Sequence, residues 1–152
     1  MRDKRGFTLI ELLVVLGLAG IVISVVMSFF IANYKSYNRL NTQSELQYQS
    51  QYMINYMTNK ILEAENFDET TNIFNKDEAD WFKFSVDNNT HELEYETSNP
   101  TVSVGSYLAE DGLTITSDGP EVTIELVLDK DEDDDPIDDY IAKQTVKMRN
   151  FN

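Results

Sequence analysis

The chain changes its hydrophobic rhythm twice. From Phe7 to Ala32 the residues are apolar or glycine, interrupted only by Thr8, Glu11, Ser24 and Ser28. At 1.5 Å per residue, roughly 26 helical residues reach about 39 Å, more than the ~30 Å hydrocarbon core of a bilayer requires. This run predicts a membrane-length helix. From Asn33 to Phe67 there is no Gly or Pro, and Leu46, Ser50, Met53, Met57, Ile61 and Ala64 recur at three- and four-residue steps, with Ile54 beside them. That spacing predicts an amphipathic helix with one apolar stripe, flanked by half-buried Tyr34, Tyr37, Tyr48, Tyr52 and Tyr56. No breaker separates the two runs. One continuous helix is therefore expected from Phe7 to near Glu65, about 90 Å long, ended by the Asn-, Asp- and Thr-rich segment Asn66–Asn72.

Beyond a polar connector to Asp80, in which Ile73 and Phe74 tuck inward, the period becomes two. Trp81–Val86 sets Phe82, Phe84 and Val86 against Lys83 and Ser85, and His91–Thr97 sets Leu93 and Tyr95 against Glu92, Glu94 and Glu96. With the turn Asp87–Thr90 between them, the two segments predict a hairpin. Shorter strands follow at Thr101–Leu108 and Leu113–Ser117, around a turn at Glu110-Asp111-Gly112. Glu121–Leu128 alternates cleanly through Val122, Ile124, Leu126 and Leu128, and Tyr140–Met148 is the last strand. The expectation is an α+β protein, a long amino-terminal helix packed on an antiparallel sheet domain. It divides into a leader at 1–6, a membrane helix half at 7–32, an amphipathic half at 33–67, and a β-rich region at 68–152 that forms one domain with 33–67.

Composition narrows the function. The 152 residues suit one compact domain plus an anchor, and no cysteine is present, so disulfides, thiol catalysis and cysteine metal sites are excluded. Removing the leader, with three bases and one acid, takes the formal net charge from −15 to −17. Such acidity argues against nucleic-acid binding, which needs a basic footprint. Arg2, Lys4 and Arg5 place the amino terminus in the cytoplasm by the positive-inside rule, and the acidic body outside.

Glu11 is the one charged residue within the apolar run. A central carboxylate costs about 2.5–3.5 kcal/mol on insertion scales, which about ten apolar neighbours outweigh. The helix still inserts, and the acid calls for a partner. The stretch Gly6-Phe7-Thr8-Leu9-Ile10-Glu11, followed by L-L-V-V-L-G-L-A-G, resembles the class III signal of type IV pilins and pseudopilins. The resemblance covers about the first thirty residues. It implies cleavage after Gly6 by a prepilin peptidase, methylation of the new amino terminus at Phe7, and a subunit-docking role for Glu11. It also implies other pilin or pseudopilin subunits and an inner-membrane assembly platform as partners, beside membrane lipid. The long polar helix and acidic body most resemble the J- or W-type minor subunits. Two features depart from the family: the apolar run has no proline, and the carboxyl-terminal cysteine pair of many pilins is missing. A plain anchor, or a secretory signal cut near Val26-Met27-Ser28, is the competing reading. Neither has a use for Glu11. The same residue separates a filament subunit from the other candidate function, a membrane-tethered extracytoplasmic ligand-binding module.

Other chemistry is sparse. Asp129, Asp131, Asp133 and Asp135 alternate in a way that offers oxygen ligands to Ca²⁺. The EF-hand pattern fails, with Asp134 at the glycine position and Tyr140 at the terminal glutamate position. The plainer reading is a solvated acidic loop between edge strands. Trp81 is assigned to the sheet's core, with saccharide stacking as its alternative. The lone His91 has no nucleophile motif beside it, and no phosphate loop or nucleophile elbow occurs. The sequence therefore points to a structural subunit without a cofactor, not to an enzyme.

Overall fold

No glycine or proline lies between Gly20 and Pro100, and nothing in that stretch forces the backbone out of helical geometry. In the computed structural model, which describes residues 8–76, 80–130, 139–149 and 151, helix α1 runs from Leu9 to Ile61. Its end comes four residues earlier than expected. The amides of Glu63 and Ala64 bond carbonyls only three residues back, and the amide of Glu65 donates to the Asn75 carbonyl at 2.8 Å. The last turn tightens and the sheet captures the chain. The molecule divides into two compact units, Met1–Leu40 and Asn41–Asn152.

In the first unit the helix stands exposed among the described residues. Every large apolar side chain from Leu9 to Ile31 is more than half exposed, from 53% to 82%. The helix is long and apolar enough to cross a membrane. Its polar side chains turn back on their own backbone. Ser24 Oγ donates to the Gly20 carbonyl at 2.8 Å, Ser28 Oγ to that of Ser24 at 2.9 Å, and Asn33 Nδ2 to that of Phe29 at 2.7 Å. Both serine hydroxyls in the apolar run thus carry their own acceptor.

The second unit is the folded body. Leu46, Ser50, Met53, Met57, Ile61 and Ala64 are all fully buried, as the three- and four-residue spacing predicts. The tyrosine flanks are not: Tyr34, Tyr37, Tyr48 and Tyr52 are exposed, and only Tyr56 is half-buried. Tyr48 and Tyr52 lie on the side of the helix away from its buried row. The strands are β1 (Asn66–Asp68), β2 (Ile73–Asn75), β3 (Trp81–Asp87), β4 (Glu92–Thr97), β5 (Val102–Gly105), β6 (Leu108–Asp118), β7 (Glu121–Leu128) and β8 (Tyr140–Lys147). The fold is α+β as expected, with its strands in two antiparallel sheets, β1 to β5 in sequence order and β6-β7-β8.

Two details differ from the expected strands. Asn66–Asn75, expected as a helix stop and connector, forms the hairpin β1–β2. Phe67 pairs with Phe74 and Phe74 with Phe82, their rings stacked at 4.3 and 5.0 Å between centroids. Each such aromatic pair contributes about 0.5–1.5 kcal/mol beyond its area, enough to hold Asn and Asp in strands they disfavour. Glu110-Asp111-Gly112, expected as a hairpin turn, is a bulge inside the single strand β6, whose register with β7 shifts between Leu108 and Leu113. Asp111 takes a left-handed φ of 58°. A Cβ on Gly112 would stand 2.5 Å from the Val127 carbonyl oxygen and 2.8 Å from that of Ala109, so only glycine fits. The true sheet break falls earlier, at Ser106-Tyr107. The hairpin β6–β7 closes through Gly119 at φ 59° and Pro120, where a turn was expected.

Polar links fasten the helix and the two sheets. Glu45 accepts hydrogen bonds from the Lys130 ammonium and, at 3.1 Å, from the Tyr107 hydroxyl. The Lys130 bond first and then the Tyr107 bond hold the Glu45 carboxyl below its ordinary range. The Glu69 carboxylate accepts from the Ser117 amide at 2.8 Å and from its hydroxyl at 2.9 Å, joining the β1–β2 loop to β6. His91, with a left-handed φ of 54°, sets Nδ1 2.9 Å from the Leu108 carbonyl oxygen. It acts as a connector between β4 and β6.

The bulge gives a stability test. Gly112→Ala forces the new methyl against two carbonyl oxygens in a paired strand, and a loss of about 1–3 kcal/mol is expected in urea denaturation followed by circular dichroism. Unchanged stability would show that the bulge relaxes freely and that glycine is not required there.

Candidate functional site

The first turn of α1 carries a reciprocal set of hydrogen bonds between Thr8 and Glu11. The Thr8 amide donates to Glu11 Oε2 at 2.9 Å, the Thr8 hydroxyl donates to the same oxygen at 2.9 Å, and the Glu11 amide donates to Thr8 Oγ1 at 3.3 Å. This is a capping box. A Thr at the N-cap and a Glu three residues on satisfy amides that the helix itself leaves without acceptors. The signal T-L-I-E ahead of an apolar run is legible in the sequence, although the resemblance gives Glu11 a docking role alone.

The geometry divides the carboxylate. Oε2 takes both bonds from Thr8, whereas Oε1 takes none from any described residue. An acid at the amino-terminal end also lies at the positive pole of the helix dipole. Among the described residues Glu11 is thus oriented by Thr8 alone, through one of its two oxygens.

The remaining expected site residues are placed unevenly. Gly6 and Phe7 lie outside the described residues, as do Asp131, Asp133 and Asp135. Asp129 follows β7, and its amide donates to the Tyr107 carbonyl at 2.9 Å. Among the described residues, no three His, Asp or Glu side chains group to hold a metal ion. Trp81 is half-buried in β3, opposite Asn75 of β2, and lines a cavity instead of sitting in the core.

Residues 1–27 match the prokaryotic N-terminal methylation motif. No curated protein and no solved structure matches the chain.

The capping box separates two duties of one acid. Thr8→Ala is expected to speed amide hydrogen exchange in the first turn of α1 roughly fivefold, the effect of losing an N-cap. Glu11→Gln should leave that exchange near the wild-type rate, because Gln serves equally at the third position of a capping box. Exchange in detergent micelles read by mass spectrometry decides it. Equal acceleration in both variants would show that the charge of Glu11, not its hydrogen bonding, caps the helix.

Proposed function

We propose that this type IV pilin-like chain is a structural subunit that co-assembles through its amino-terminal helix into an inner-membrane-based filament. Its N-terminal methylation motif supports a pilin- or pseudopilin-like precursor. Such a precursor implies a structural subunit rather than an enzyme, processed by a prepilin peptidase and joined to other pilin-type subunits. The proposal goes further. The peptidase cuts between Gly6 and Phe7 and methylates Phe7, the amino terminus faces the cytoplasm, and the acidic body lies outside the membrane. The subunit is a minor one of the J or W type, a reading that rests on its long polar helix and acidic body.

One observation carries the assembly claim: Glu11 Oε1 accepts no hydrogen bond from a described residue, on the stretch of helix from Leu9 to Ile31 whose large apolar side chains are all more than half exposed. Cleavage after Gly6 creates a cationic amine at Phe7. In a neighbouring subunit that amine is the donor Oε1 lacks. In an environment of low dielectric the two charges attract strongly, and each removes the other's cost of burial. The cap on Oε2 persists while the pair forms, so docking requires no rearrangement of the first turn.

Intact-mass analysis of membrane-extracted protein is expected to find a chain beginning at N-methylated Phe7; one beginning at Met1 or Phe29 contradicts the proposal. In Glu11→Ala and Glu11→Gln, membrane level and cleavage should be preserved. Co-purification with the major subunit should fall at least about tenfold, since an unpaired buried amine costs several kcal/mol. The Gln variant matters most, because it keeps the cap and loses only the charge. Undiminished assembly of Glu11→Gln would mean that the helix docks by apolar packing alone.

A further inference from the structure

A cavity of about 350 Å³ opens beside the carboxyl-terminal end of α1, lined by Trp81 and Tyr95 together with Lys60, Lys76, Asp80 and Asn99. Its volume is at the low end for small-ligand sites, and aromatic walls with a few converging polar groups are their usual make-up. The Lys60 ammonium lies 5.3 Å from the Tyr95 ring centroid and 5.9 Å from that of Tyr56. Unlike Lys76, which pairs with Glu63 at 3.3 Å, Lys60 has no carboxylate in ion-pair range among the described residues. Ring faces attract an ammonium but accept no strong hydrogen bond from it, so its donors are left for a ligand.

Among the described residues that line the cavity, two lysines balance Glu63 and Asp80, in a chain with 27 acids and 12 bases. The site is thus a local exception to the repulsion that the body exerts on anions. The mixture of groups selects the ligand. Lys60 suits a carboxylate. The flat face of Trp81 suits the C–H face of a pyranose, and Asp80 and Asn99 suit hydroxyls that both donate and accept. An acidic peptide satisfies Lys60 but brings no ring C–H face to Trp81. We propose that this cavity binds a short saccharide bearing a carboxylate, a uronic-acid unit of one or two rings, through the pairing of Lys60 with the carboxylate and stacking on Trp81.

Trp81 is the only tryptophan in the chain, so its fluorescence reports on the cavity directly. The full chain in a zwitterionic, sugar-free detergent is titrated with digalacturonate, with the neutral disaccharide cellobiose, and with the dipeptide Glu-Glu. A saturable change in Trp81 emission is expected with digalacturonate at millimolar concentration or below. Cellobiose and Glu-Glu should each bind about tenfold more weakly. Lys60→Gln should weaken digalacturonate about tenfold and leave cellobiose unchanged, which also shows that the variant is folded. Three results overturn the proposal: no saturable change with digalacturonate, equal affinity for cellobiose, or equal affinity for Glu-Glu.

Discussion

An apolar stretch of helix that stands exposed among the described residues, with one carboxylate near its start, is the constraint on which the rest of the molecule depends. Large apolar side chains from Leu9 to Ile31 are all more than half exposed, a surface of the kind that marks contact with a membrane or another protein. In that setting Ser24 and Ser28 are satisfied by carbonyls one turn back. Glu11 is only partly satisfied, by Thr8 on one oxygen. An apolar surface alone drives insertion but specifies no register between helices. Under the proposed docking a half-satisfied carboxylate does, since its donor would arrive at one depth.

The body answers a different demand. Asn41–Asn152 buries one helix row against two sheets, and its surface remains acidic. Stacked Phe67, Phe74 and Phe82 bind three short strands into the first sheet. Val122, Ile124, Leu126 and Leu128, all fully buried, give the second its core face. Glu45 with Lys130 and Tyr107, and Glu69 with Ser117, tie these layers through polar side chains at the margin of the core. The cavity at Trp81 sits among the groups left over when those layers close. A saccharide site there is compatible with a filament role, because Lys60 and Trp81 take no part in burying the apolar row.

Patterns with a strict period were legible in the sequence. The helical stripe from Leu46 to Ala64 and the alternation of Glu121–Leu128 are set by burial alone, and burial follows periodicity. Features decided by contacts distant in sequence were not. The β1–β2 hairpin exists because Phe74 stacks on both Phe67 and Phe82, which no local propensity announces. Glu110-Asp111-Gly112 has the chemistry of a turn, yet Val127 on the neighbouring strand makes it a bulge. Tyr48 and Tyr52 lie near the buried row in sequence but face solvent, because no strand reaches that side of the helix. The capping box was legible in T-L-I-E and was overlooked because Glu11 already had a role. The cavity was not legible at all, since its lining comes from the end of α1 and from four segments of the first sheet.

The central claim is that Glu11 meets the amino terminus of another subunit. A hydrophobic carbodiimide, which joins a carboxylate to an amine in contact without a spacer, tests it in assembled filaments by peptide mass spectrometry. The account predicts an intersubunit amide between Glu11 and the Phe7 amine, formed in wild-type filaments and in those of Thr8→Ala. A Phe7 amine left unlinked, or linked to some other acid while Glu11 is intact, would contradict it.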